Sequence, residues 1–352
     1  MVHGNEMEIK IRNYEEGDAA DIVSVFNRAF ATNFVQLVRT TKSWKWRYVE
    51  RPGFKKENVI LATANGKIVG STMVTFRALH FDRDYKFGMI DDVATLPSFR
   101  GKGIARKMMM HAVEYMKSEN CDASGLFADP SGVAKDLYLA LGYENAHFFQ
   151  TFFRPLNIRQ IAMAIPFLAP AAYLFALWRI AELRKTAGDA VFLKPDDAAF
   201  LDALNSRYAS LAGFAEMDKK FWNWMRVDAP PAHRPVVLAI RRGGKIIGGA
   251  TLTRHTTAFF GRGLRLGWIN EFFSDGDADP LNELIKCGID APFLSTLVSC
   301  KDKSRIELLR RNLFVKVYEF PIMIKPFLKN FDISAFSGRS WYPIFESAVG
   351  FG

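Results

Sequence analysis

At 352 residues, 49% of them hydrophobic and 24% charged, the chain is longer than one typical domain and holds enough apolar material, including 31 Phe, for two cores. The net charge of +10 suits an anionic ligand, nucleic acid or an anionic membrane surface, and ranks these partners without choosing one. Cys121, Cys287 and Cys300 lack metal-like spacing and are odd in number, and the N-terminal residues form no apolar signal segment. Together these point to reduced thiols in a cytoplasmic protein.

In chain order, residues 8–12 alternate like a first strand. A helix follows, with Asp18 as its cap and Ile22, Val25, Phe26, Ala29 and Phe30 on its buried face. Trp44-Lys-Trp46-Arg47 reads as a second, short helical segment. Residues 59–64 and 67–76 are strands around the hairpin turn Asn65-Gly66. A further strand, Met89 to Thr95, carries Asp91-Asp92 and breaks at Pro97. Then comes the turn Arg100-Gly101-Lys102-Gly103, and a helix whose apolar face holds Ile104, Met108, Ala112 and Tyr115. Strand, glycine turn and helix together make a diphosphate cradle. The helix start presents unpaired N–H groups, its dipole favours negative charge, and glycine lets the backbone approach. Residues 124–128 (strand), 132–141 (helix ending at Gly142) and 143–153 (last strands) complete this half.

Residues 161–178 are uncharged and apolar but contain Pro166 and Pro170. The first reading is a buried linker or helical hairpin, the second a peripheral membrane contact, and the third a spanning helix. Beyond it the pattern repeats. Trp222-x-Trp224 follows Trp44-x-Trp46 at the same separation as Gly244-Lys-Ile-Ile-Gly248 follows Gly66-Lys-Ile-Val-Gly70, which indicates an internal duplication. Where the second copy should have its glycine turn, it has Ser274-Asp-Gly-Asp-Ala-Asp-Pro280, whose three carboxylates oppose a diphosphate.

The cradle is neither a P-loop nor a dinucleotide fingerprint, because Gly101-x-Gly103 is followed by Ile104-Ala105-Arg106. Val93-Ala94-Thr95-x-Pro97-x-x-Arg100-Gly101-x-Gly103-x-Ala105 instead resembles the acyl-CoA-binding signature of the GNAT acyltransferase superfamily. The resemblance implies an α/β fold of two tandem GNAT-like domains, each a mixed, mostly antiparallel twisted sheet flanked by helices. The expected division is an acyl-CoA-binding domain over 1–155, an apolar linker over 156–189, a degenerate copy over 190–330 and a tail over 331–352.

It also implies that main-chain groups of Val93, Ala94 and Thr95 meet pantetheine and the thioester carbonyl, in a slot opened where this strand splays from its neighbour. Arg100, Gly101, Lys102, Gly103, Ile104, Ala105 and Arg106 would hold the pyrophosphate. Ala134-x-x-Leu137-Tyr138-x-x-x-Gly142-Tyr143 resembles the superfamily's C-terminal helix motif, with Ser131 where that motif has a cofactor-contacting Asn. By the same resemblance Tyr138 protonates the departing thiolate. An acidic residue before the Val93 strand accepts the amine's proton; Asp92 is the first choice and Asp91 the second, since alternation sends the two side chains to opposite faces. No cluster has metal-ligand spacing, so no metal is expected, and His111 reads as a surface or packing residue.

The expected function is acyl-CoA-dependent N-acylation of a small-molecule amine by direct attack in a ternary complex, with acetyl-CoA as donor and no nucleic-acid partner. The competing readings are a non-catalytic acyl-CoA sensor and a membrane-peripheral enzyme acting on a polysaccharide or lipid-linked precursor. The acceptor, the acyl length and the oligomeric state have no signature in the sequence.

Overall fold

The computed structural model describes residues 8–31, 35–129, 132, 134–157, 160–161, 170, 174, 189–259, 262–287 and 290–343. The first half of the chain forms β1 (Ile9–Asn13), α1 (Ala19–Ala29), β2 (Val35–Leu37), α2 (Thr41–Tyr48), β3 (Val59–Ala64), β4 (Lys67–His80), β5 (Asp84–Thr95), α3 (Ile104–Ser118), β6 (Ala123–Phe127), α4 (Ala134–Ala140) and β7 (Glu144–Pro155). The second forms β8 (Asp189–Leu193), α5 (Ala198–Tyr208), α6 (Lys219–Arg226), β9 (Val236–Arg242), β10 (Lys245–Phe259), β11 (Arg262–Ser274), α7 (Pro280–Lys286), β12 (Phe293–Ser299), α8 (Lys303–Arg311) and β13 (Val315–Pro326). Apart from β2, the second list repeats the order of the first, as the repeated sequence anchors require.

The chain divides into two compact units, Met1–His147 with Pro321–Ser337, and Phe148–Phe320 with Gly338–Gly352. In the first, the sheet runs β1-β3-β4-β5-β6, antiparallel except for the parallel pair β5/β6. Residues 322–326 of β13 then close it antiparallel to β6, Ile322 opposite Phe127. The second unit runs β8-β9-β10-β11-β12 in the same sense, with β11/β12 the parallel pair. It is closed by β7, where Phe149 to Pro155 pair with Ser299 to Phe293. Each sheet therefore takes its last strand from the other half of the sequence. The sequence division after residue 155 differs from this, because alternation marks a strand but not the sheet it joins.

In the first unit α3 lays Met108, Met109, Ala112, Val113 and Met116 on the sheet, all buried. Burying a methionine or valine side chain fully contributes about 1.5–3 kcal/mol. A side-chain carbon at Gly88 of β5 would overlap Met116 Sδ, so only glycine lets the helix come this close. Asp18 stands at the N-cap of α1 but makes no side-chain cap. Its carboxylate is held by Arg12 at 2.6 and 2.8 Å instead. The duplicated tryptophans are core residues in both units: Trp44, Trp46, Trp222 and Trp224 are all buried.

Most of the run 161–178 lies outside the described residues. Among the described residues no helix is long and apolar enough to cross a membrane. The C-terminal segment divides. Phe331 and Phe336 pack on Phe81 in the first unit, while Trp341 and Tyr342 are buried in the second, with Tyr342 against Tyr208 and Phe214.

Candidate active site

The site begins at an irregularity in β5. Ser71 pairs with Ala94 and Met73 with Asp91, so Asp92 and Val93 together face the single residue Thr72. This is a β-bulge, and Asp92 adopts a left-handed backbone at φ 48° to make it. The bulge redirects both carboxylates into a cluster of buried arginines. Asp92 Oδ1 accepts from Arg39 Nη2 at 2.8 Å, and Asp91 Oδ2 lies 3.8 Å from Arg47 Nη2. Arg39, Arg47 and the neighbouring Arg51 are all buried.

The two acids end with opposite characters. Burial pushes the Asp91 carboxyl above the usual carboxylate range, against the pull of Arg47. Burial acts on Asp92 too, but Arg39 and Arg47 outweigh it and hold that carboxyl low. The Tyr48 hydroxyl, buried beside them, is held well above its ordinary value by desolvation. Burial and the nearby Arg77 and Arg47 push Arg51 down to about 9. A small cavity of about 110 Å³, lined by Tyr48, Arg51, Phe54, Asn58, Thr75 and Phe76, adjoins this cluster.

The same strand forms the slot. β5 pairs with β6 only from Phe87/Ala123 to Ile90/Leu126. Beyond Ile90 it stays on β4 as far as Thr95, so Val93, Ala94 and Thr95 lie where β5 and β6 part. A 3-10 turn at Pro97–Phe99 leads to Arg100, and Gly101 and Gly103 both take left-handed φ, 75° and 71°. Gly103 caps α3 with no side chain, so the first-turn amides starting at Ile104, Ala105 and Arg106 keep their donors for an incoming acceptor. A side-chain carbon at Gly101 or Gly103 would meet nothing within 4 Å, so that face is open. Lys102, Arg106 and Lys107 are exposed around it. Arg100 behaves differently: its guanidinium donates to Ala29 O at 2.5 Å and ties the turn to the end of α1.

Tyr138 is buried on α4, and desolvation pushes its hydroxyl up to about 12. Its ring packs on Tyr143, whose hydroxyl bonds Ser124 Oγ at 2.7 Å. Ser131 lies outside the described residues. His111 is on the exposed face of α3. Among the described residues no group of three or more His, Cys, Asp or Glu could hold a metal ion. The sequence reading missed Arg39, Arg47, Tyr48 and Arg51. The available signal was an Arg inside the Trp-Lys-Trp-Arg-Tyr run, where a charge shares a short helix with core aromatics.

In the second unit Gly248 pairs with Ser274 as Gly70 pairs with Thr95, and Leu252 with Ile269 as Val74 with Ile90. Glu271 therefore occupies the place of Asp92. Both of its carboxylate oxygens are taken by Arg226 Nη2 at 2.6 Å, and both residues are 1% exposed. The strand edge is covered as well: the Tyr208 hydroxyl donates to Phe272 O and accepts from Phe272 N, each at 3.0 Å. The helix start is filled from within, since Asp279 caps α7 at Asn282 N. Asp275 and Asp277 are paired with Arg207 and Arg242.

Residues 10–146 match the model of the acetyltransferase (GNAT) domain. No curated protein matches the sequence. Among solved structures the fold resembles N-myristoyltransferase from Saccharomyces cerevisiae with bound myristoyl-CoA, at 13% identity and TM-score 0.70 over 95% of this chain and 89% of that one. It also resembles a GCN5-related N-acetyltransferase from Anabaena variabilis, at 13% identity and TM-score 0.60 over 91% and 73%. A third, from Kribbella flavida, aligns at 14% identity and TM-score 0.55 over 91% and 71%. At such identities the likeness is one of fold.

Proposed function

We propose, from a first half (residues 10–146) that belongs to the acetyltransferase (GNAT) domain family, that this chain is an acyl-CoA-dependent N-acyltransferase. It transfers an acyl group, acetyl in the first instance, to a small-molecule amine within a ternary complex. The observation that carries the reading is the splay of β5 from β6 in the stretch that leads into the uncapped start of α3. A splayed strand offers main-chain donors and acceptors to an amide-bearing chain. A bare helix start offers donors and dipole to a pyrophosphate. The second unit supports the first without a transfer site of its own.

In this mechanism Asp91 replaces Asp92 as the base. A carboxylate of ordinary pKa near 4 is a weak acceptor for the proton of an ammonium near 10, so the raised member of the pair is the better one, acting through water. Asp92, held low by Arg39, stays ionised and fixes the bulge. The amine approaches from the α2 side, through the cavity lined by Tyr48, Arg51 and Phe54. As the C–N bond forms and the C–S bond breaks, main-chain N–H groups of the splayed strand steady the carbonyl oxygen. Tyr138, protonated at neutral pH, gives its proton to the departing thiolate.

A thiol-release screen of acyl-CoAs from acetyl to myristoyl against an amine panel tests this. Turnover that depends on both substrates is expected. Tight CoA binding with no release for any amine would make the protein a sensor instead.

A further inference from the structure

The second unit has a cleft of its own where β11 parts from β12. It measures about 540 Å³, within the ~300–1,000 Å³ usual for small-molecule sites. Tyr208, Phe272 and Leu308 supply its apolar lining, and Arg305 lines it with charge. The acidic residues around it are already matched. Asp275 pairs with Arg207, Glu307 lies 3.6 Å from Arg311, and Asp302 accepts from Arg305 Nε at 2.5 Å and from Ser304 Oγ at 2.9 Å. What remains is a donor. Arg305 is 9% exposed, and its guanidinium lies 4.9 Å from the Tyr208 ring centre and 6.0 Å from that of Phe272. Its buried Nη2 has no hydrogen-bond partner among the described residues. A buried cationic N–H left without an acceptor is disfavoured, and an arriving oxyanion removes that cost. Coenzyme A is not the match, because Asp279 fills the helix start and Tyr208 covers the strand edge.

We infer that this cleft binds a small molecule bearing an oxyanion, carboxylate or phosphate ester, on an apolar or aromatic body. The oxyanion meets Arg305 Nη2 and the body lies against Tyr208 and Phe272. The inference does not depend on transfer chemistry in the first unit. Calorimetry on the full chain tests it, with coenzyme A present and with benzoate, phenyl phosphate and neutral benzamide as probes. At least one anion should bind, and benzamide at least tenfold more weakly; the anion that binds identifies the headgroup. Ser210→Trp, at an exposed position on the cleft lining, should weaken the anion at least tenfold by filling the space. Arg305→Gln should do the same by removing the donor, and neither should change acetyl-CoA binding. If Arg305→Gln does not fold, Ser210→Trp decides alone. No binding by either anion, equal binding of benzamide, or undiminished binding in a folded variant would overturn the inference.

Discussion

The two units have the same strand order and a bulge in the same stretch of the strand that splays, yet they treat the three openings there in opposite ways. In the first unit, Gly103 leaves the helix start uncapped, β5 leaves its pairing with β6 after Ile90, and of the two acids at and beside the bulge one is held high. In the second, Asp279 caps the helix, the Tyr208 hydroxyl bonds the strand edge at Phe272, and Glu271 is locked by Arg226. The lesson is physical. The proposed site is a set of backbone donors and a carboxylate left unspent, and in the second unit the corresponding groups are satisfied internally. That satisfaction removes buried, unpaired groups, which are costly, so closing these openings favours stability.

The difference can be probed from both sides. Asp91→Asn should lower kcat by roughly 100- to 10,000-fold while acyl-CoA affinity, read by calorimetry, stays near normal. The wild-type pH profile should carry the sign of the shift. The Asp91 carboxyl sits above its ordinary range, so kcat/KM should fall, as pH drops, at a higher pH than an unperturbed Asp would give. That acidic limb should vanish in the residual activity of the variant. Glu271→Gln strands Arg226 in the core of the second unit, and breaking a buried pair costs about 3–5 kcal/mol, to be read by denaturant unfolding. Gly103→Asp copies the second unit's cap into the first. It should weaken CoA by roughly 10- to 100-fold, the worth of charge-assisted hydrogen bonds lost, with the fold retained by circular dichroism. Tyr138→Phe should lower kcat about tenfold, less than the usual acid–base effect because a thiolate leaves readily, with KM for acyl-CoA unchanged.

Features set by adjacent residues could be read from the sequence: the Asn65-Gly66 turn, the Gly101–Gly103 turn running into a helix, the tandem aspartates and the acidic replacement of the cradle. What escaped was set by distant partners. Arg39 reaches Asp92 from 53 positions away, and in the proposed mechanism that ion pair puts Asp91 ahead of Asp92 as the base. The exchange of closing strands between the sheets depends on which edge 149–155 and 322–326 meet, and their alternation is equally suited to either. Tyr208 lies on α5, and only packing shows its hydroxyl spent on a strand edge.

Hydrogen exchange of the backbone amides with and without coenzyme A tests the central claim most directly. Protection should appear at Gly101 to Arg106 and along Val93 to Thr95, and be absent from Ser274 to Asn282. Unchanged exchange at 101–106 in the presence of bound coenzyme A, or protection at 274–282 in its place, would contradict the assignment of the open cradle to the first unit.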